Sequence, residues 1–183
     1  FAMRAVLGCT PAVGMVLINT LRKPSALVGW IVELEGRLIE IGGMPLLMDV
    51  LRPMLAGKDE LALLRPTSLS ADGYTPWPKH HPRHRLGADV CLADWNIPYE
   101  RLELPVLVLT GLHDRLFRVQ TDVDELVGRL PDATVVVFED AGHSLHEERT
   151  ERFVAEISAF TDSIAGGSAR TDEVSPPACV SHG

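Results

Sequence analysis

Two polar residues stand where a parallel sheet exposes its chemistry. Asp114 follows the apolar run Leu104-Pro105-Val106-Leu107-Val108-Leu109-Thr110, in the turn Gly111-Leu112-His113-Asp114-Arg115. His143 follows the β-branched run from Ala133 to Phe138, in Glu139-Asp140-Ala141-Gly142-His143-Ser144. Open parallel sheets bind ligands beyond the carboxyl ends of their strands, so the polar residues just after each strand are the candidates. A carboxylate beside an imidazole suits a base held by an acid. The carboxylate accepts from Nδ1–H, fixes the tautomer, leaves Nε2 to take a proton and stabilises the imidazolium that forms. Histidine suits the base role because its ordinary pKa lies near neutrality. Taken singly, such an Asp is more often a turn former and such a His a surface residue. The pair carries more weight than its parts. They sit 29 residues apart, room for one helix and one strand, which brings both to equivalent strand ends.

The elements that must position this pair read as α/β, mostly parallel sheet with helices on both faces. Residues 1 to about 9 resemble the end of a helix stopped by Gly8 and Pro11. Val13 to Ile18 is a continuous apolar run, the pattern of a strand buried on both faces, and Asn19-Thr20 ends it. Residues 21–97 differ in character and read as a helical insertion. Apolar residues at 27, 31, 34, 38 and 41 predict one helical face, broken at Gly42-Gly43 before a second helix that carries Leu47, Met48, Leu51, Met54 and Leu55. A short helix is expected over 59–64, a proline-rich irregular segment over 65–85, and helix again over 86–95. Regular alternation resumes over 98–164, with strands at 104–110 and 133–138 and helices at 119–130 and 149–164. Residues 165–183 are rich in Gly, Ser and Pro and predict a disordered tail.

These segments resemble a known family. The run Leu104 to Asp114 resembles the α/β-hydrolase segment "P-V-L-V-L-x-G-x-x-D", in which a strand and turn present a triad acid. Asp140-Ala141-Gly142-His143-Ser144, followed by Glu147 and Phe153, resembles that family's "G-A-G-H-S … E … F", in which the His is the base. The resemblance implies a partial α/β-hydrolase fold, Asp114 and His143 as triad members, and residues 21–97 as a cap over a substrate pocket. Any one of its Trp30, Leu47, Met48, Met54 and Trp95 is more often packed within the cap than lining that pocket. It implies ester or lactone hydrolysis of a small-molecule substrate, with no cofactor. The position after Phe117, often proline in this family, is Arg118.

The family's nucleophile sits in G-x-S-x-G between a strand and a helix. That pattern is missing here, and so are its Cys and Asp versions. Gly8-Cys9 is followed by Thr10-Pro11 and a strand, and Ser144 fits a capping pattern with Glu147 rather than a nucleophile. Phe1 to Gly8 resembles the helix after the elbow, which places Phe1 about five residues past the nucleophile. The expectation is a C-terminal fragment, inactive and poorly stable alone, in which a half-sheet exposes a strand edge. Two other readings stay open: a remnant of an aspartate-nucleophile dehalogenase or epoxide hydrolase, and a non-catalytic module of the same fold.

Composition narrows the partners. A net charge of −8 argues against nucleic acid, which needs a concentrated basic surface. No apolar run reaches transmembrane length and the N-terminus lacks a signal-peptide pattern, so a cytoplasmic location is expected. Lys79-His80-His81-Pro82-Arg83-His84-Arg85 reads as a solvated basic loop rather than a metal site. Cys9, Cys91 and Cys179 read as free, mostly buried thiols. The oligomeric state is left open.

Overall fold

The computed structural model describes residues 2–69, 71–82, 89 and 92–168. Its centre is a parallel sheet of strands β1 (Met15–Ile18), β2 (Val106–Gly111) and β3 (Ala133–Phe138), in the order β1-β2-β3. β2 lies in the middle and is buried at every position, so its sequence is an unbroken apolar run rather than an alternating one. Side chains still alternate between the two faces. Val106 and Val108 join Met15, Leu17, Leu126 and Leu130 on one side, and Leu107 and Leu109 join Phe138, Ala141 and Leu145 on the other. Each fully buried aliphatic side chain contributes about 1.5–3 kcal/mol through its removal from water.

Helices cover both faces. Helix α1 (Ala2–Leu7) and the β2–β3 crossover helix, Gln120–Arg129, pack on the first face through Met3, Val6, Leu126 and Val127. The long last helix, Thr150–Ser168, packs on the second through Phe153, Ile157 and Phe160, spaced three to four residues apart. That helix runs beyond the expected end at 164; residues 169–183, where the rest of the expected tail falls, lie outside the described residues.

Between β1 and β2 stands the insertion. Helix α2 (Ala26–Leu55) starts at Ser25, whose hydroxyl accepts from Val28 N–H at 3.2 Å. It is kinked where the sequence predicts a break: Gly43 has φ 65°, a conformation open to glycine, and the carbonyl of Thr75 packs where a Cβ would be. The buried face differs from the expected one. Val28, Ile31, Ile39, Leu47 and Leu51 form the core, while Leu27, Ile41 and Trp30 are exposed. The stretch is apolar around much of its circumference, so spacing alone does not fix which stripe turns inward. Helix α3 (Lys58–Leu64) follows, then 3₁₀ turns at Arg65–Thr67 and Ala71–Gly73 within the proline-rich segment. Of the helix expected over 86–95, residues 86–88 and 90–91 lie outside the described residues, 89 and 92 are helical, and 93–95 are not. Three further described helices are α4 (Gln120–Arg129), α5 (Leu145–Glu148) and α6 (Thr150–Ser168). No described helix is long and apolar enough to cross a membrane.

One expectation is corrected. Cys9 is disulfide-bonded and lies at an exposed corner after α1, so it is neither free nor buried.

Candidate active site

The acid-bearing turn begins where β2 ends. Asp114 N–H donates to Gly111 O at 3.3 Å, and Asp114 Oδ1 accepts from the N–H groups of Leu116 (3.2 Å) and Phe117 (2.9 Å). The residue is therefore a turn former, as its type alone suggests. Its second oxygen does something else. Asp114 Oδ2 lies 2.7 Å from His143 Nδ1. The carboxylate is fully buried, while 38% of the His143 side chain is exposed. With an ionised carboxylate, which only accepts, and a neutral imidazole, the ring donates through Nδ1–H and Nε2 is left as the acceptor. The structure thus brings together the two residues singled out by strand-end position.

His143 is held by its backbone from two sides. Its N–H donates to Leu55 O at 2.6 Å, at the end of α2. Its carbonyl accepts from Asn19 Nδ2 at 2.6 Å, and Gly142 O accepts from the same nitrogen at 3.1 Å. Asn19 Oδ1 accepts in turn from Gly111 N–H at 2.8 Å. One amide at the end of β1 therefore joins the acid turn to the base loop. Phe117 packs its ring on the imidazole, with centroids 4.7 Å apart.

Other sequence expectations are redistributed. The carboxylate that enters the site's framework is Glu148, not Glu147: Glu148 is buried and accepts from Gly57 N–H (2.8 Å) and Gly142 N–H (3.0 Å), whereas Glu147 points to solvent. Ser144 occupies the N-cap of α5 but makes no side-chain cap bond; its carbonyl accepts from the N–H groups of Glu147 and Glu148 instead. His146 is exposed near Glu147. Arg118, in place of the usual proline, donates through Nε to Thr110 Oγ1 at 3.2 Å and through Nη2 to Gln120. Of the apolar cap residues, Leu47 packs within the insertion's core, the more frequent fate of such residues, and Trp30 faces solvent. His81 stacks against Trp77, and His84 lies outside the described residues. Beside the base loop, the Arg149 guanidinium donates to Asp140 Oδ2 at 2.7 Å and holds that carboxyl below its ordinary range.

Asn19, Phe117 and Glu148 are absent from the sequence reading of the site. Asn19 is detectable by the rule that finds Asp114 and His143, since it also follows a strand end. A search for titratable groups passes over an amide.

Comparison with known proteins converges on one group. The model of the alpha/beta hydrolase family matches residues 2–156. Among solved structures, an alpha/beta hydrolase enzyme from a Medee basin deep-sea metagenome library superposes with a TM-score of 0.65 at 16% identity, covering 90% of this chain and 58% of that one. An esterase from Exiguobacterium antarcticum gives 0.64 at 12% identity, covering 88% and 62%. The enol-lactonase from Burkholderia xenovorans LB400 gives 0.60 at 21%, covering 81% and 56%. The chain thus spans less than two thirds of the length of these structures. No curated protein matches in sequence.

Proposed function

The chain belongs to the alpha/beta hydrolase family, and on that premise we propose that Asp114 and His143 are the acid and base of a hydrolytic triad acting on ester or lactone bonds of small molecules. The observation that carries this reading is the 2.7 Å bond between a buried carboxylate and a half-exposed imidazole. The esterase and enol-lactonase among the structural neighbours support the substrate class. The insertion between β1 and β2 acts as a cap over the site, because its α2 end lies directly on the base loop.

The chemistry follows from the geometry. His143 Nε2 takes the proton of a serine hydroxyl as its oxygen adds to the substrate carbonyl, and the buried Asp114 stabilises the imidazolium. The imidazolium returns that proton to the departing alkoxide, which leaves as an alcohol. A water molecule, deprotonated by the same nitrogen, then adds to the acyl carbon. The acyl–serine bond breaks, the imidazolium returns the proton to the serine oxygen, and the acid is released. The serine belongs to a segment outside these 183 residues, since no G-x-S-x-G stands within them.

The test supplies that segment. The 183-residue chain alone should hydrolyse p-nitrophenyl acetate no faster than its His143→Ala variant. Joined in frame behind a segment carrying G-x-S-x-G, it should gain an activity that His143→Ala lowers by about 10⁴-fold or more. Hydrolysis by the chain alone that vanishes in His143→Ala would contradict the external serine. Activity of the joined protein that survives His143→Ala would contradict the role of the base.

A further inference from the structure

The end of helix α2 grips the acid turn and the base loop together. Carbonyls in the last turn of a helix have no partner within it and must find one elsewhere. Here Pro53 O accepts from Arg115 Nη1 at 2.6 Å, Met54 O from Arg115 N–H at 2.7 Å, and Leu55 O from His143 N–H at 2.6 Å. One helix end therefore holds the residue after the acid and the base itself.

A buried carboxylate closes this grip. Glu148 Oε2 accepts from Gly57 N–H at 2.8 Å, and both Glu148 oxygens lie 3.0 Å from Gly142 N. Gly57 follows α2 by two residues and Gly142 precedes His143. A carboxylate this buried is costly unless its oxygens are bonded, and backbone amides of two separate segments bond them here. The same closeness dictates glycine at both positions. A Cβ on Gly142 would overlap Leu55 O, and one on Gly57 would lie 2.9 Å from Glu148 Oε2, 3.0 Å from Asp140 O and 3.2 Å from His113 Nδ1. The two backbones meet directly through His143 N–H and Leu55 O, and the Glu148 carboxylate spans the neighbouring pair, Gly57 and Gly142.

We infer that Glu148 is a positioning residue for the base. It ties the exit of the insertion to Gly142 and thereby sets the His143 ring against Asp114. The functional meaning of this tie rests on the reading of His143 as base. Displacement of residues 55–57 at the exit of the insertion is passed to that ring through the backbone of 142–143.

Proton NMR of the 183-residue chain in the cold tests this without needing turnover. The Nδ1–H of His143, bonded to Asp114, gives a downfield resonance assigned by its loss in His143→Ala. Glu148→Gln removes the negative charge and sets an NH2 donor against Gly142 N–H, leaving one oxygen to accept from the two N–H groups. Gly57→Ala presses on the same carboxylate from the other side, at a φ of −68° that alanine adopts freely. Both variants should speed solvent exchange of that proton by about tenfold or more while far-UV circular dichroism stays native. Asp49→Asn is the control, because it disrupts a carboxylate network inside the insertion, made by Tyr74, Leu69 and Arg52, and should leave the resonance alone. Unchanged exchange in both folded test variants overturns the proposal. So does equal acceleration by Asp49→Asn, and so does unfolding of both test variants, which assigns the bridge to stability alone. If one test variant unfolds, the other decides. If the parent chain shows no such resonance, the acid–base reading itself fails and the positioning role falls with it; a present but indifferent resonance removes only the latter.

Discussion

Asn19 satisfies three backbone groups with one amide: Gly111 N–H, Gly142 O and His143 O. It also sits at φ 43°, a region Asn enters more readily than most residues. Both facts bear on substitution. Asn19→Ala removes the bonds and adds backbone strain, and should cost about 2–4 kcal/mol of unfolding free energy. Asn19→Gly removes the same bonds but tolerates the backbone, and should be milder by about 1 kcal/mol. Urea unfolding at neutral pH measures both, and an alanine variant within about 0.5 kcal/mol of the parent would refute the account. The residue scale also shows what a sequence makes visible. Asp114 and His143 are legible because their types and their strand-end positions agree. Asn19 has the position without a titratable group, and Glu148 is one residue past Glu147, which the sequence marks only as a motif and capping residue. Only the turn of α5 decides which of the two carboxylates enters the interior.

At the scale of elements, legibility follows how many faces are buried. β2 is expected nearly as found, because a strand under helices on both sides reads as a short continuous apolar run. β3, an edge strand with Val135 and Val137 exposed, is legible from its β-branched residues instead. Helix α6 is equally plain, since its Phe153, Ile157 and Phe160 lie on one side of an otherwise polar sequence. Helix α2 is the hard case. Its position and its break at Gly43 are legible, but its inward stripe is not, because apolar residues also occupy its solvent face. The break itself is enforced by contact: Trp77 N–H donates to Ile39 O at 3.1 Å, and the strand of chain from Thr75 to Trp77 lies across the kink. Gly43→Ala meets both a positive φ and the Thr75 carbonyl, so it should destabilise the chain by about 2–3 kcal/mol. Gly29→Ala, in the same helix with open space around it, should be neutral or stabilising. Thermal unfolding of the two variants side by side checks this, and equal midpoints would show that the kink carries no strain.

At the scale of the whole molecule, ionisable groups in both halves tie stability to pH. Burial pushes the Asp49 carboxyl up, but the Tyr74 hydroxyl, Leu69 N–H and Arg52 together hold it below its ordinary 3.8. Arg149 lowers Asp140 beside the base loop. Asp94, lowered by Asn96 N–H and then Arg4, and Glu100, lowered by its own backbone N–H and then Arg129, respond in the same direction. A carboxyl with a depressed folded-state value stabilises the fold fully above its unfolded value. That contribution is lost as the pH falls through the folded one. The midpoint of thermal unfolding should therefore stay level down to about pH 5 and fall by several degrees between about pH 4 and 3. Tyrosines set the opposite limb. The hydrogen bond to Asp49 raises Tyr74 above its ordinary 10.0, and burial raises Tyr99. Their contribution is complete below pH 10.0 and disappears as the pH rises through the raised values. Asp49 thus takes part in both limbs. Asp49→Asn should shrink the acid loss and also return part of the alkaline loss toward the ordinary tyrosine range. Midpoints measured from about pH 3 to 11 decide the matter, because curves for parent and variant that run parallel throughout would separate Asp49 from either transition.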